Sequence, residues 1–319
     1  MTSAKESQLA SAVLMIRPVR FNSNPLTAES NRFQGRLNAG PEEQQLAASA
    51  EFDVLVDVLV EADIEVVEIE DTADPHTPDS IFPNNWVSFH ADGTVVLYPM
   101  EATNRRTERR QDIIDSLVSE FGFHVSRVID LTAHEIHGQF LEGTGSLVLD
   151  RTHRVAYACL SSRTHLDVVG DFAQQLDYEI VAFDAVDRDG MAIYHTNVLM
   201  NVGQDIAVIC SESIAREEQR EAVVQSLVET GHEVVSLSYQ QMEAFAGNML
   251  EIQSAQGTRL IAMSDQAVKS LTGDQLAVIE AKARIISAPI DRIESSSGGS
   301  VRCMLAEIHL PKDSAHSAT

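Results

Sequence analysis

The segment SVRCMLAEIHL (300–310) reads as a β-strand, yet nothing downstream of it can serve as a partner. Only PKDSAHSAT (311–319) follows, a short polar stretch expected to fray. A buried strand must satisfy its backbone N–H and C=O groups somewhere. The natural partner is SAVLMIRP (11–18), an apolar run at the opposite end of the chain. Pairing the two would close the chain on itself.

Four internal segments share the plan of that closing pair. They are NNWVSFHADGTVVLYP (84–99), TGSLVLDRTHRVAYACLS (144–161), TNVLMNVGQDIAVICS (196–211) and NMLEIQSAQGTRLIAMS (248–264). Each alternates apolar and polar residues around a Gly or Asp turn signal, as a hairpin does. Each leads into a helical stretch, at about 105–119, 164–176, 214–230 and 265–282, and then into a further strand: HVSRVIDL, YEIVAFD, HEVVSLS and ARIISAPI. The unit is ββαβ. Taking Asn85, Gly145, Asn197, Met249 and Cys303 as anchors, the spacings are 60, 52, 52 and 54 residues. The terminal pair, with a helix at 42–61 and the strand IEVVEIE, supplies a fifth unit. Units closed in a ring bury one another's apolar faces without terminal caps. The expectation is an α/β fold, a five-bladed pseudo-symmetric ββαβ propeller spanning 1–319 as one domain. An open α/β sheet is the plainer alternative.

Composition narrows the function. The 319 residues include 48 acidic and 23 basic side chains, a formal charge of −25. Such a surface repels phosphate backbones and anionic lipid, which argues against nucleic acid or membrane partners. No apolar run reaches the ~18 residues that a membrane span needs, and the N-terminus lacks the long apolar centre of a signal peptide. Three cysteines, 159, 210 and 303, are too few and odd for a disulfide framework and suit a reducing, cytoplasmic compartment. HEIH (134–137) lacks zincin spacing, and no Cys pair, GxGxxG or P-loop occurs, so no metal or cofactor is expected. A small molecule is the expected partner, with homo-oligomerisation left open.

In such a ring the ends of the equivalent inner strands converge on the axis. That places Asp79, Asn84, Asn85, Glu142, His195, Asn197, Asn248 and Cys303 together. One thiol, one imidazole, two acids and several amides make up a set suited to covalent catalysis. A lone cysteine in an apolar run is commonly a small core residue, and Cys159 and Cys210 fit that description. Cys303 differs because it follows SSSGGS (295–300), read as a flexible loop, and begins a strand. His195 supplies an acid–base partner. Glu142 in FLEGTGS would be a costly buried acid unless paired. NRRTERRQD (104–112) reads as a helix start with four arginines, a solvated face or a bidentate carboxylate grip.

PDSIFPNNW (78–86), FLEGTGS (140–146), YHTNVLMN (194–201) and SVRCMLAEIHL resemble the signature segments of the guanidino-group-modifying superfamily, the penteins. With LMIRPVRF (14–21), NRFQ (31–34) and LYPMEATNRRTERR (97–110), the resemblance covers nearly the whole chain and is similar in detail to the bacterial citrulline-utilisation hydrolase type. It implies a five-bladed ββαβ propeller. It implies Cys303 as nucleophile, His195 as general acid–base and Glu142 as the carboxylate that holds substrate or histidine. It further implies Asp79 as a substrate contact, and Arg105 or Arg106 together with Arg163 as receivers of an amino-acid carboxylate.

The sequence departs from the deiminases of that superfamily at Asn85 and Asn197, where they carry acids that grip a cationic guanidinium. A buried guanidinium without carboxylates is poorly compensated. A neutral ureido group offers one acceptor and several donors, which amides match. The expected reaction is therefore hydrolysis of citrulline to ornithine, carbon dioxide and ammonia through a covalent cysteine intermediate. A deiminase or dimethylaminohydrolase acting on arginine or dimethylarginine, an amidinotransferase with an amine acceptor, and a silent binding protein are the alternatives.

Overall fold

The computed structural model describes residues 6–28, 31–35 and 40–312. Its strands form five three-stranded sheets. The first blade is built from both termini. β1 (Ala12–Arg17) runs parallel to β2 (Glu65–Glu70) across the helix Pro41–Glu61, and antiparallel to β15 (Ala306–Ile308), with Leu14 opposite Ala306. The chain ends thus close the ring as the strand at 300–310 requires.

The other four blades repeat the order hairpin, helix, outer strand. They are β3 (Val87–Phe89), β4 (Thr94–Leu97) and β5 (Arg127–Asp130); β6 (Leu147–Asp150), β7 (Val155–Cys159) and β8 (Glu179–Phe183); β9 (Met200–Val202), β10 (Ile206–Ile209) and β11 (Glu233–Ser236); and β12 (Leu250–Gln253), β13 (Arg259–Ser264) and β14 (Arg284–Ala288). In each, the first two strands are antiparallel and the third is parallel to the second. Inner strands such as Val87–Phe89 and Leu147–Asp150 are buried along their whole length, whereas the outer strand Arg127–Asp130 is largely exposed. Several inner strands keep the apolar–polar alternation read from the sequence, as in Val87–Phe89, Met200–Val202 and Leu250–Gln253.

The covering helices are amphipathic. Pro41–Glu61 starts with Pro at its first turn and Glu42 and Glu43 beside the positive end of its dipole, and buries Ala48, Phe52, Leu55 and Leu59. Two helical expectations and one loop expectation shift. The stretch from 105 divides into a 3-10 turn (Thr103–Glu108) and a helix (Gln111–Ser119), because Arg105 turns inward to bond Glu108. The stretch from 265 divides into Asp265–Ser270 and Gly273–Glu280, with Thr272 and Gln275 forming a capping box at the second start. SSSGGS is no flexible loop. Its serines end the helix Asp291–Ser297, Gly298 caps that helix at φ +69, and Ser296, Ser297 and Ser300 are buried. The expected fraying at 311–319 falls mainly outside the described residues; Lys312 itself bridges to Phe123 and ion-pairs with Glu65.

The inner strands do not begin directly at the axis. A tight turn precedes each one, closed by a backbone N–H bonding the carbonyl three residues back. These bonds run Asn85 to Phe82 (3.3 Å), Gly145 to Glu142 (3.0 Å), Val198 to His195 (3.3 Å), Asn248 to Phe245 (2.9 Å) and Cys303 to Ser300 (2.9 Å). Cys303 accordingly lies in a helical turn, Val301–Met304, and not in a strand. The structural anchors are Val198 and Asn248, one residue from the Asn197 and Met249 read from the sequence.

Candidate active site

Three of these turns, Phe82–Asn85, His195–Val198 and Ser300–Cys303, contribute to the lining of a narrow cavity of about 20 Å³, room for roughly one water. Asp79, Asn85, Arg105, Arg163, His195 and Cys303 line it, as do Thr27, Asn31, Phe82, Tyr194, Ser297 and Gly299.

Glu142 and His195 occupy the first position of equivalent turns in neighbouring blades. Their side chains meet at 2.8 Å, Nε2 to Oε2, and both are buried. Burial alone would raise the Glu142 pKa, but the Arg163 guanidinium, the His195 bond and Arg105 outweigh it and hold the carboxyl well below the usual range. Burial lowers His195 from its ordinary 6.5 to about 4, with Glu142 opposing that shift. The imidazole is thus neutral at pH 7. An ionised carboxylate only accepts, so Nε2 carries the proton and Nδ1 presents a lone pair. A Cβ added to Gly145 would lie 2.8 Å from that Nδ1 and 2.4 Å from Asn85 Nδ2, which places both atoms above the same glycine.

Cys303 Sγ receives two amide donors, Asn248 Nδ2 at 3.3 Å and Asn197 Nδ2 at 3.4 Å. Burial pushes the Cys159 and Cys210 thiols up to about 12, as for inert core cysteines.

Arg105 is fully buried. Its Nε and Nη2 donate to Glu108 at 2.9 Å each, and its Nη1 donates to Asn85 Oδ1 at 2.9 Å. That last bond fixes the Asn85 amide with its Nδ2 turned away, and Nδ2 is buried with no hydrogen-bond partner among the described residues. Asp79 accepts from Asn24 Nδ2 at 2.7 Å and lies 3.8 Å from Arg105 Nε. Arg163 stacks on the Tyr194 ring at 4.8 Å and reaches Glu101 (3.4 Å), Glu142 (3.5 Å) and the Thr27 carbonyl (3.4 Å).

Arg106, Asn84, Asn197, Glu142 and Asn248, all singled out from sequence, do not line the cavity. Arg106 points to the Met100 carbonyl and Glu135 and stacks on Phe140. Asn84 is buried behind the wall, its backbone carbonyl accepting from Thr144. Asn197 reaches the sulfur without lining the cavity. Sequence reading missed Tyr194, whose hydroxyl donates to the Gly298 carbonyl at 2.7 Å, and Glu108, which neutralises Arg105. Tyr194 adjoins His195 in YHTN and was the one with a local signal.

Five ββαβ blades around such a cavity define a pentein, a member of the guanidino-group-modifying superfamily. Residues 17–310 match the profile described as N,N dimethylarginine dimethylhydrolase, eukaryotic, and the chain belongs to that family. Solved structures share the fold. The N-terminal domain of ArgZ, a cyanobacterial arginine dihydrolase, aligns at TM-score 0.69 and 17% identity over 92% of this chain and 96% of that domain. AgrE bound to L-arginine aligns at TM-score 0.72 and 15% identity over 95% of this chain, which spans 41% of the AgrE chain. DDAH from Pseudomonas aeruginosa, a cysteine-to-serine mutant complexed with citrulline, aligns at TM-score 0.64 and 14% identity over 94% of this chain and 100% of that one. No curated protein of described function matches significantly.

Proposed function

We propose that this protein is a cysteine hydrolase that cleaves the ureido group of citrulline, giving ornithine, carbon dioxide and ammonia. The observation that carries this reading is Asn85. Arg105 holds its amide so that an unpaired donor, Nδ2, stands beside His195 in the cavity wall. A ureido oxygen accepts from that donor, whereas a guanidinium presents only further donors. Charge agrees. Glu108 is committed to Arg105, and Glu142 to His195 and Arg163, so a cationic head would meet Asp79 alone. A neutral head needs no counter-ion.

In this mechanism the His195 Nδ1 takes the Cys303 proton as the sulfur attacks the ureido carbon. Asn85 Nδ2 receives the charge that develops on the oxygen. The imidazolium, steadied by Glu142, returns its proton to the departing alkyl nitrogen, releasing ornithine and leaving an S-carbamoyl cysteine. His195 then deprotonates water, which attacks that carbon. The thiolate departs, and carbamate decays to ammonia and carbon dioxide. Arg163, with contacts of 3.4 Å and longer to Glu101, Glu142 and Thr27, is the residue assigned to the substrate carboxylate.

A second reading is hydrolysis of arginine or dimethylarginine at the same carbon, favoured by the cavity-lining carboxylate of Asp79 and by the family match. Incubation with citrulline, arginine and dimethylarginine separates the two. Ornithine and ammonia from citrulline support the first. Citrulline formed from either arginine, with citrulline itself inert, would overturn it in favour of the second. Cys303→Ala must abolish turnover in both.

A further inference from the structure

The cysteine sulfur has an unusual environment for a group that must carry negative charge. Arg302, its chain neighbour, turns away and donates to the Leu305 carbonyl at 2.9 Å and to Glu307 at 2.6 Å. His195 is held neutral by burial. What does touch Sγ is a pair of carboxamides, Asn248 and Asn197.

Asn248 sits in the turn equivalent to that of Cys303, in the neighbouring blade, and is 1% exposed. Its orientation is fixed, because Nδ2 also donates to the Asn197 carbonyl at 3.0 Å. Its backbone packs closely on the Asn197 turn: a Cβ on the preceding Gly247 would fall 2.5 Å from the Val198 carbonyl oxygen. The same amide serves both protonation states of sulfur. Oδ1 lies 3.7 Å from Sγ, placed to accept an S–H, while Nδ2 at 3.3 Å is placed to donate to a thiolate. N–H donors aimed at a buried charge are worth far more there than in water.

We infer that Asn248 is a catalytic residue of this enzyme, forming with Asn197 a two-amide cradle that stabilises the Cys303 thiolate as it attacks and again as it is expelled. The inference rests on the reading of Cys303 as nucleophile but not on the identity of the substrate. It explains how a thiolate would be stabilised where, among the described residues, amides rather than cations bond the sulfur. It also gives a reason for amide rather than acid at 197, since a carboxylate 3.4 Å from Sγ would repel the same charge.

The test is the pH dependence of Cys303 alkylation by iodoacetamide, measured without substrate on the full chain, with Cys303→Ser as background. In Asn248→Leu the midpoint moves up by about one pH unit or more, and in Asn248→Asp further still. Asn248→Ser, which keeps a small donor, moves less than either. Thermal melts check that each variant is folded; if the Leu variant is not, the Asp and Ser variants carry the comparison. Midpoints that coincide with wild type in the folded variants would overturn the proposal. A wrong substrate assignment would leave these midpoints untouched and appear only in the turnover assay.

Discussion

Glu142 Oε2 and His195 Nε2 stand 2.8 Å apart because the fold places both residues at the first position of equivalent turns in adjoining blades. The contact keeps the imidazole oriented, and burial keeps it neutral down to about pH 4.

That neutrality has a cost in acid. An unfolded chain protonates this histidine as pH falls through its ordinary 6.5, while the folded chain does not until about 4. The unfolded state therefore binds the extra proton, and stability falls as pH drops across that window, by up to ~3 kcal/mol. Glu142, held low, adds its own loss only below its ordinary 4.5. Urea unfolding of wild type at pH 7 and pH 4.5 should thus show a larger loss than in His195→Gln. Equal losses in the two proteins would mean that the histidine is not buried neutral.

Gly145 tests the geometry on the same wall. A methyl group there would lie 2.4 Å from Asn85 Nδ2 and 2.8 Å from His195 Nδ1. Both must shift, and a displacement near 1 Å costs on the order of 100-fold in rate. Gly145→Ala is expected to lose about that much kcat/KM with a Tm within a few degrees of wild type. Retention of more than about a tenth of wild-type activity would show that these two atoms do not act together.

The two adjacent arginines should separate cleanly. Arg105→Met leaves Glu108 buried without its cation and releases Asn85, and breaking such a pair costs about 3–5 kcal/mol. Arg106, 30% exposed, holds Glu135 and the Met100 carbonyl outside the cavity. Arg106→Ala should change stability by no more than about 1 kcal/mol and leave kcat/KM unaltered. Urea titration and turnover on both variants decide it. Arg163→Lys, which keeps the charge but loses the fork, is expected to raise KM by about tenfold with a smaller effect on kcat.

The contrast between these arginines also marks where sequence stopped being informative. Blade order and ring closure were legible because strand alternation and turn residues are local, and because SVRCMLAEIHL had nowhere else to pair. That Glu142, His195 and Cys303 lie in the turns at blade starts was legible from the repeat, while their expected roles came from the family resemblance. Four arginines in NRRTERR carry no local mark of which one turns inward; that choice is made by Glu108 three residues on, together with Asn85 and carbonyls from 79 and 82. Asn24 on Asp79, and Asn31 on the Ser297 carbonyl, join segments 55 and 266 residues apart. The one-residue offset at 197 and 249 has a similar origin, since a helical turn and a strand start look alike in a short apolar run.

Asn85→Asp addresses the substrate reading itself. An aspartate would accept from Arg105 in the asparagine's place, so the wall should keep its shape. What changes is the atom facing the substrate, from a donor to an anionic acceptor. Ureido hydrolysis then loses a donor at the developing oxyanion, worth on the order of 100- to 1000-fold in kcat where such donors have been removed. Guanidinium recognition gains a carboxylate, so arginine or dimethylarginine turnover should rise relative to citrulline. Asn197→Asp is expected to lower citrulline turnover without any gain, because its amide serves the sulfur and stands outside the cavity lining. Steady-state kcat/KM for the three substrates on both variants makes the comparison. If Asn85→Asp leaves the preference between ureido and guanidino substrates unchanged, the donor at this position does not select the head group, and Asp79 becomes the residue to vary next.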